Sequence, residues 1–423
     1  MRVAHIAFQY GLNNTGGAAI ASTRLHQALL VHGVESHYIC VHAREVGENV
    51  HEMPQGWRRK IFLTLTKLLR GVWKFTPYRK SICLNLIPMF GLEKLLKEIK
   101  PDVVHVQWLN ADVASYEQIG KLPYLVVFNL HDLNLILPEV GGHPTDNRYF
   151  EGVSRMNTDW LNLWLWKRKG RMIKRLNPVF IGPSKWVVKA CAKSINGKGY
   201  PGYAISNIID SVFKYIPELR KSHDKFVILF GAFGGRKNSY KGWPDLEAAL
   251  ALLPEEMKKN CEVHIFGESS SDTEVHGIPL KFLGPISDPI KMREIYHQAD
   301  VFAFPSVQET QGMTKIEAML CGLPVIAFDR TACAEGIVNS VSGWVVDDGD
   351  VKAFADSLIK QYEMASSCFS AEPICMEIAQ RAKAMFGEDE VFSQILKVYR
   401  MVVYGRERDC QGNRQSNGNK TER

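Results

Sequence analysis

Short apolar runs rich in β-branched and aromatic residues alternate with longer helical stretches, twice over, along this chain. In the first half the strand-like runs are residues 3–8, 36–41, 102–106, 124–128 and 179–184, with helical stretches at 17–32 and 185–194. In the second half they are 225–230, 262–266, 281–284, 301–304 and 325–328, with helical stretches at 244–253 and 290–298. Runs this short and this apolar suit strands covered by helices on both faces. The repeat predicts an α/β protein of two parallel-sheet domains, each with a ligand crevice at the carboxyl ends of its strands. The length of 423 residues agrees, since it exceeds what one core usually serves. Periodicity lapses between 205 and 223, so the boundaries are set at 1–206 and 207–385. A terminal helix follows over 386–404, and the polar stretch 405–423 is expected to be a disordered tail.

Apolar content of 46% and charged content of 23% are those of an ordinary globular chain, and no apolar run reaches bilayer-spanning length. The opening run, 1–8, is too short for the core of a signal peptide and reads as a strand. Nine cysteines without paired spacing, several in apolar runs, are expected as buried reduced thiols in a cytoplasmic protein. The net charge of +7 is unevenly spread, with no acidic residue between Met53 and Leu92. Within 57–80 lie Arg58, Arg59, Lys60, Lys67, Arg70, Lys74, Arg79 and Lys80, interleaved with Trp57, Ile61, Phe62, Leu65, Leu68, Leu69, Trp73 and Phe75. A second cluster holds Trp164, Trp166, Lys167, Arg168, Lys169, Arg171, Lys174 and Arg175. Basic residues mixed with Trp and Leu on a helix suit an anionic membrane surface. The plainer reading is a solvated helix whose apolar stripe faces its own core. Nucleic acid is not expected, because no recognition motif accompanies the charge.

The chemistry concentrates where strand-like runs end. After 301–304 come Pro305-Ser306, then Glu309, Gly312-Met313-Thr314, and Glu317 eight positions beyond Glu309. Gly322 and Pro324 mark the end of the helix that Gly312 opens. A strand end, a glycine turn and a helix start make an anion site out of unpaired backbone N–H groups. Two carboxylates beside it suit sugar hydroxyls, so the segment reads as a nucleotide-sugar pocket. The glycine-rich loop 231–243 adds Arg236, Lys237 and Lys241, which suits a diphosphate. Gly16-Gly17 follows the first strand but does not make the dinucleotide fingerprint. His131-Asp132 follows the run 124–128, with the loop Gly141-Gly142-His143-Pro144 beyond it, and His131 is either a sugar-orienting group or a structural histidine. Asp102, His105 and Gln107 stand at strand ends too, with nothing to select among them. The phosphate loop GxxxxGK[ST], HExxH, GxSxG and a strand-end Asp-x-Asp are all missing from the sequence.

In these segments the chain resembles the GT-B glycosyltransferases, specifically the large retaining family 4. Glu309 and Glu317 are similar to its E-x7-E motif, flanked by Leu283-Gly284, Tyr296, Ala299-Asp300-Val301, Glu335 and Ser342-Gly343-Trp344. Lys241-Gly242, Gly16-Gly17, 101–105, His131-Asp132 and Pro183-Ser184-Lys185-Trp186 extend the likeness over roughly residues 1–405. The resemblance implies two Rossmann-like domains facing across a cleft, the acceptor side at 1–206 and the nucleotide-sugar donor side at 207–385, with 386–404 packing back towards the first.

It also implies roles. Gly16 and Gly17 would approach the donor diphosphate, Lys241 would neutralise it, and the N–H groups from Gly312 through Met313 to Thr314 would cap it. Glu317 would take ribose hydroxyls, Glu309 would face the transferred sugar, and His131 would hydrogen-bond that sugar. His131, Lys241 and Glu309 are thus the catalytic candidates, with no metal and no cofactor expected. One departure stands out: the family's Gly-Arg after the strand is Gly231-Ala232 here, which leaves Arg236 as the substitute cation. The reaction implied is retaining transfer of a sugar from a nucleoside-diphosphate donor to a hydroxyl, on a saccharide or lipid-linked saccharide acceptor. Exopolysaccharide or lipopolysaccharide biosynthesis is the expected setting, in the cytoplasm and peripheral on the inner face of the membrane. The rivals are a non-catalytic paralogue acting as a binding or scaffold protein, and a sugar-nucleotide epimerase.

Overall fold

The structure is a computed structural model that describes residues 1–12, 16–73, 83–137, 160–220, 224–231, 234–366 and 372–418. Ala232, the loop 141–144 and the part of the first basic cluster from Lys74 to Lys80 lie outside the described residues. The chain divides into two compact units, Met1–Ile205 with Phe392–Arg423, and Ser206–Val391.

Unit 1 begins with β1 (Arg2–Tyr10), α1 (Gly17–Val31), β2 (Glu35–Ala43), β3 (Val50–Glu52) and α2 (Gly56–Trp73). It continues through α3 (Leu92–Ile99), β4 (Val103–Val106), α4 (Tyr116–Ile119), β5 (Leu125–Asn129), α5 (Trp160–Leu176), β6 (Val179–Gly182), α6 (Lys185–Lys193) and β7 (Gly202–Ala204). The seven strands run in the order β3-β2-β1-β4-β5-β6-β7, all parallel. Because β1 pairs with β2 on one side and β4 on the other, the crossovers reverse direction between β1 and β4. The loops leaving β1 and β4 therefore part there and leave a crevice.

Unit 2 repeats the plan. Its elements are β8 (Phe226–Gly231), α7 (Trp243–Ala251), α8 (Glu255–Lys259), β9 (Cys261–Phe266), β10 (Thr273–Val275), β11 (Ile278–Gly284), α9 (Pro289–His297) and β12 (Val301–Phe304). After them come α10 (Met313–Leu320), β13 (Val325–Phe328), β14 (Gly343–Val346), α11 (Val351–Ser366), α12 (Glu372–Phe386) and α13 (Glu388–Gly418). The order is β10-β11-β9-β8-β12-β13-β14, parallel except for the short edge strand β10. Here the reversal falls between β8 and β12. Alternation along the strands feeds two cores: Leu229, Phe302 and Phe304 point to one face, Ile228, Phe230 and Val301 to the other.

From Phe392 onward α13 belongs to unit 1, where Phe392 stacks on His32 at 4.0 Å and Tyr399 Oη lies 2.6 Å from His105 Nδ1. The helix continues to Gly418, well past residue 405, where a disordered tail was expected.

Candidate active site

The loops leaving β8 and β12 emerge side by side at the reversal in unit 2, and the structure zips them together. Val307 N–H donates to Tyr240 O at 2.9 Å. Gly242 has φ +72°, and a Cβ on it would overlap the carbonyl oxygen of Pro305. The glycine of Lys241-Gly242 is thus what lets one loop lie against the other. That contact delivers Lys241 Nζ to 2.6 Å from Glu309 Oε1, across 68 positions of sequence. Both side chains remain partly accessible, at 20% and 14% exposure, so a ligand can reach the pair. Glu309 is further held by its own N–H, which donates to Thr331 Oγ1 at 2.9 Å.

Beside this pair α10 opens on Gly312, at φ 81°, where a Cβ would press on the Phe304 ring at 2.7 Å. No side chain caps the N-terminus of α10 and its first turn holds no acid, so the N–H groups of Met313 and Thr314 carry the positive end of the helix dipole. One turn on, Glu317 is buried and its Oε2 accepts from Tyr296 Oη at 3.1 Å. Lys315, passed over in the sequence, is buried as well. Its Nζ donates to the carbonyls of Ala332, Cys333 and Glu335 at 2.9, 3.1 and 2.7 Å, and burial pulls its pKa down to about 8. It ties the loop behind Glu309 to α10, and a lysine inside an otherwise apolar helix face was the available signal. Gln311 does similar work, with its amide joined to Ser206 Oγ and Asn207 Nδ2, each at 2.5 Å.

Arg236 does not stand free as the substitute cation. It forms a double contact with the buried Glu268, at 3.3 and 3.2 Å, and its guanidinium lies 4.6 Å from the Phe282 ring centre. Burial pushes the Glu268 carboxyl up, but the hydrogen bonds and charge of Arg236 outweigh it and hold the group below the usual range. Gly235 packs against Glu268, where a Cβ would meet that of Glu268 at 2.5 Å.

In unit 1 the residues at the ends of β4 and β5 are mostly neutral, with one carboxylate, Asp132. His131 Nε2 lies 3.1 Å from Gln107 Oε1, which also accepts from Asn129 Nδ2 at 3.1 Å. The other end of the same amide, Gln107 Nε2, faces His5 Nδ1 at 2.9 Å and His105 Nδ1 at 3.1 Å. Burial lowers His131 to about 4 and His105 to about 3, so both rings are neutral at pH 7. A neutral His131 that donates from Nε2 keeps its lone pair on Nδ1. Asp132 turns inward instead: its oxygens accept from Trp108 Nε1 at 2.9 Å, Asn110 Nδ2 at 3.0 Å and Asn134 N–H at 2.9 Å. Gly16 caps α1 with no side-chain bond, and among the described residues no atom beyond its chain neighbours lies within 4 Å of where its Cβ would stand. Gly17 begins that helix, whose first turn has no acid.

The two basic clusters separate. On α2, Phe62 and Thr66 are buried and Arg59 bonds Val41 O and Glu52, while Trp57, Ile61, Leu65 and Leu68 are exposed beside Arg58, Lys60 and Lys67. This helix thus has a second apolar stripe, distinct from the one facing the core. On α5, by contrast, three members of the cluster turn inward. Arg168 donates to Leu84 O and Asn85 O, Lys169 to Asn134 and Leu137, and Trp166 to Ile136 O. The cysteines at 40, 83, 191, 261, 321, 333 and 375 are free thiols, and burial pushes Cys40, Cys191 and Cys333 up to about 12. Among the described residues no helix is long and apolar enough to cross a membrane.

Comparison with known proteins identifies the family. Residues 225–364 match the glycosyl transferases group 1 model, and residues 15–210 match the Glycosyltransferase Family 4 model. The chain belongs to the family 4 glycosyltransferases. Its fold is GT-B. A D-inositol 3-phosphate glycosyltransferase of Xylanimonas cellulosilytica is 31% identical over 40% of this chain and 41% of its own length. The capsular polysaccharide biosynthesis glycosyltransferase CapM of Staphylococcus aureus is 37% identical over 33% of this chain and 37% of its own. The match therefore spans well under half the length of these relatives. Among solved structures, Anabaena HepE in complex with UDP-glucose superposes with a TM-score of 0.60 at 15% identity, covering 94% of this chain and 99% of that one.

Proposed function

We propose that the protein transfers a sugar from a nucleoside-diphosphate donor to an acceptor hydroxyl, with retention of anomeric configuration, in polysaccharide biosynthesis. The observation that carries this reading is the Lys241–Glu309 pair, 2.6 Å apart, beside the uncapped start of α10. A lysine and a row of backbone N–H groups converging on one accessible place suit a departing diphosphate, whose charge grows as the glycosidic bond breaks. Lys241 would exchange Glu309 for a phosphate oxygen, which frees the Glu309 carboxylate to accept from hydroxyls of the sugar. Glu317, held by Tyr296, would accept from the ribose. The resemblance assigns His131 to a hydroxyl of the donor sugar, and its Nδ1 lone pair makes it an acceptor in that bond. In this reading fixed cations stabilise the leaving group and no metal is needed. The names of CapM and of the HepE complex support a polysaccharide product and a UDP-sugar donor.

The acceptor is proposed to be a saccharide, free or lipid-linked, reached at an anionic membrane surface. The exposed face of α2, Trp57, Ile61, Leu65 and Leu68 ringed by cations, supports that placement. Turnover of a panel of nucleotide-sugars, read as nucleotide release with and without added acceptor, tests the reaction. Acceptor-dependent release lost in Lys241→Ala is expected, while release unchanged by both Lys241→Ala and Glu309→Ala would refute the site. The anomeric coupling constant of the product tests retention. Binding to vesicles containing phosphatidylglycerol should fall when Lys60 and Lys67 are changed to Glu; no vesicle binding at low salt would remove the membrane from this reading.

A further inference from the structure

The exposed side of α5 carries cations that the proposed reaction does not use. Trp164, Lys167, Arg171 and Lys174 follow one another at steps of three and four residues, so they share one side of the helix. With Lys198 and Tyr200 from the segment after α6 they line a hollow of about 640 Å³. The walls are fixed by backbone. A Cβ on Gly170 would meet Asn196 Oδ1 at 2.5 Å, and Asn196 Nδ2 donates to Trp166 O at 3.2 Å, which fastens that segment onto α5.

Among the described residues no carboxylate lines the hollow. The acid whose charge Arg171 does feel, Glu117, is taken by Arg168 through contacts of 2.7 and 2.5 Å. Lys167, Arg171, Lys174 and Lys198 make no salt bridge among the described residues. Like charges three and four residues apart on a helix repel one another, so the free protein is weakened by this stripe. A multiply charged anion seated among them turns the repulsion into attraction.

We propose that the hollow binds a ligand carrying a diphosphate or a doubly charged phosphate. Lys167, Arg171, Lys174 and Lys198 would hold the charge, and Trp164 and Tyr200 would offer an aromatic wall to the group that bears it. This site lies on α5 and the segment after α6, and does not rest on the transfer reaction. Two sources share the chemistry, a free diphosphate and a phosphate headgroup at a lipid surface.

The test uses the full chain with Lys241→Ala, which silences the diphosphate site proposed in unit 2. Inorganic pyrophosphate is titrated calorimetrically into this protein and into one that also carries Lys167→Gln, Arg171→Gln and Lys174→Gln. Binding that weakens with salt and falls by about tenfold or more in the added triple variant is expected. The same proteins are sedimented with phosphatidylcholine vesicles holding phosphatidic acid, with and without pyrophosphate. Vesicle binding reduced by the triple change and displaced by pyrophosphate assigns the site to a lipid headgroup. Pyrophosphate binding with no such vesicle effect assigns it to a free diphosphate. Pyrophosphate and vesicle binding both indifferent to the triple change would overturn the proposal. The triple variant with Lys241 intact should melt at or above the wild-type midpoint, because the change removes the repulsion, so a fall in binding is not a loss of fold. Neither binding readout uses the transfer reaction, which separates this outcome from failure of the proposed function.

Discussion

Leaving aside the edge strands β7 and β10, six strands of each unit follow the same order, and the two units put it to opposite electrostatic use. At the reversal in unit 2 the loops present ions: Lys241 with Glu309, Arg236 with Glu268, and the dipole of α10. At the corresponding place in unit 1 the strand ends and the residues after them hold a network of imidazoles and amides: His5 and His105, buried within β1 and β4, with Gln107, Asn129 and His131, and His26 buried nearby against Ser36 and the carbonyl of Glu48. Topology thus decides where a crevice forms, and side chains decide what it can hold. Fixed charge suits a diphosphate, whereas neutral rings with defined tautomers suit hydroxyls.

The largest expected effect sets the neutral side against the charged one. His26 and His105 are lowered to about 4 and about 3, mainly by burial, so below pH 6.5 the unfolded chain takes up protons that the folded one refuses. Stability is then complete above pH 6.5 and is lost as pH falls towards 4, on the order of 3 kcal/mol for each histidine. Urea unfolding at stepped pH checks this, and a midpoint that stays flat between pH 7 and 5 would break the contrast. Gly242→Ala comes next. Positive φ and overlap with Pro305 should together cost about 3 kcal/mol or more, read as a lower thermal midpoint and a lost nucleotide-sugar shift. A variant as stable as the parent would mean that the two loops are not held together as described.

Lys241→Ala should leave the thermal midpoint nearly in place and cut turnover by roughly 100- to 1,000-fold, the loss typical of a donor aimed at developing charge. A comparable fall in the midpoint would make Lys241 structural instead. Gln107→Leu is the mildest. It strips the amide from His5, His105 and His131 and should cost about 1–3 kcal/mol, through buried hydrogen bonds lost, although His105 Nδ1 keeps Tyr399 Oη. Its pH–turnover profile should change as well, because the tautomer of His131 is no longer imposed. An unaltered profile would reduce Gln107 to packing.

Much of the site was legible because its parts are local. Glu309, Gly312 and Glu317 lie within one strand–turn–helix segment, where glycine and carboxylate spacing is visible in the chain itself. The pairing of Arg236 was not legible, because its partner, Glu268, is 32 positions away on the loop after β9 and no local pattern shows such a contact. The same holds for the inward turn of Arg168 and Lys169, which look like neighbouring members of a surface cluster until the loops they reach are in place. Lys315 and Gln311 were missed for a related reason: their work is to hold loops, and a loop's conformation is a tertiary property.

Sequence alone determined the α/β class, the two parallel sheets and the family, because strand and helix periodicity and the E-x7-E segment depend only on residues near one another in the chain. Tertiary structure decided which charges meet. The Lys241–Glu309 contact exists because β8 and β12 are neighbours at a reversal, and the neutrality of His131 exists because other elements bury it. Both effects act through space over distances that chain order does not encode.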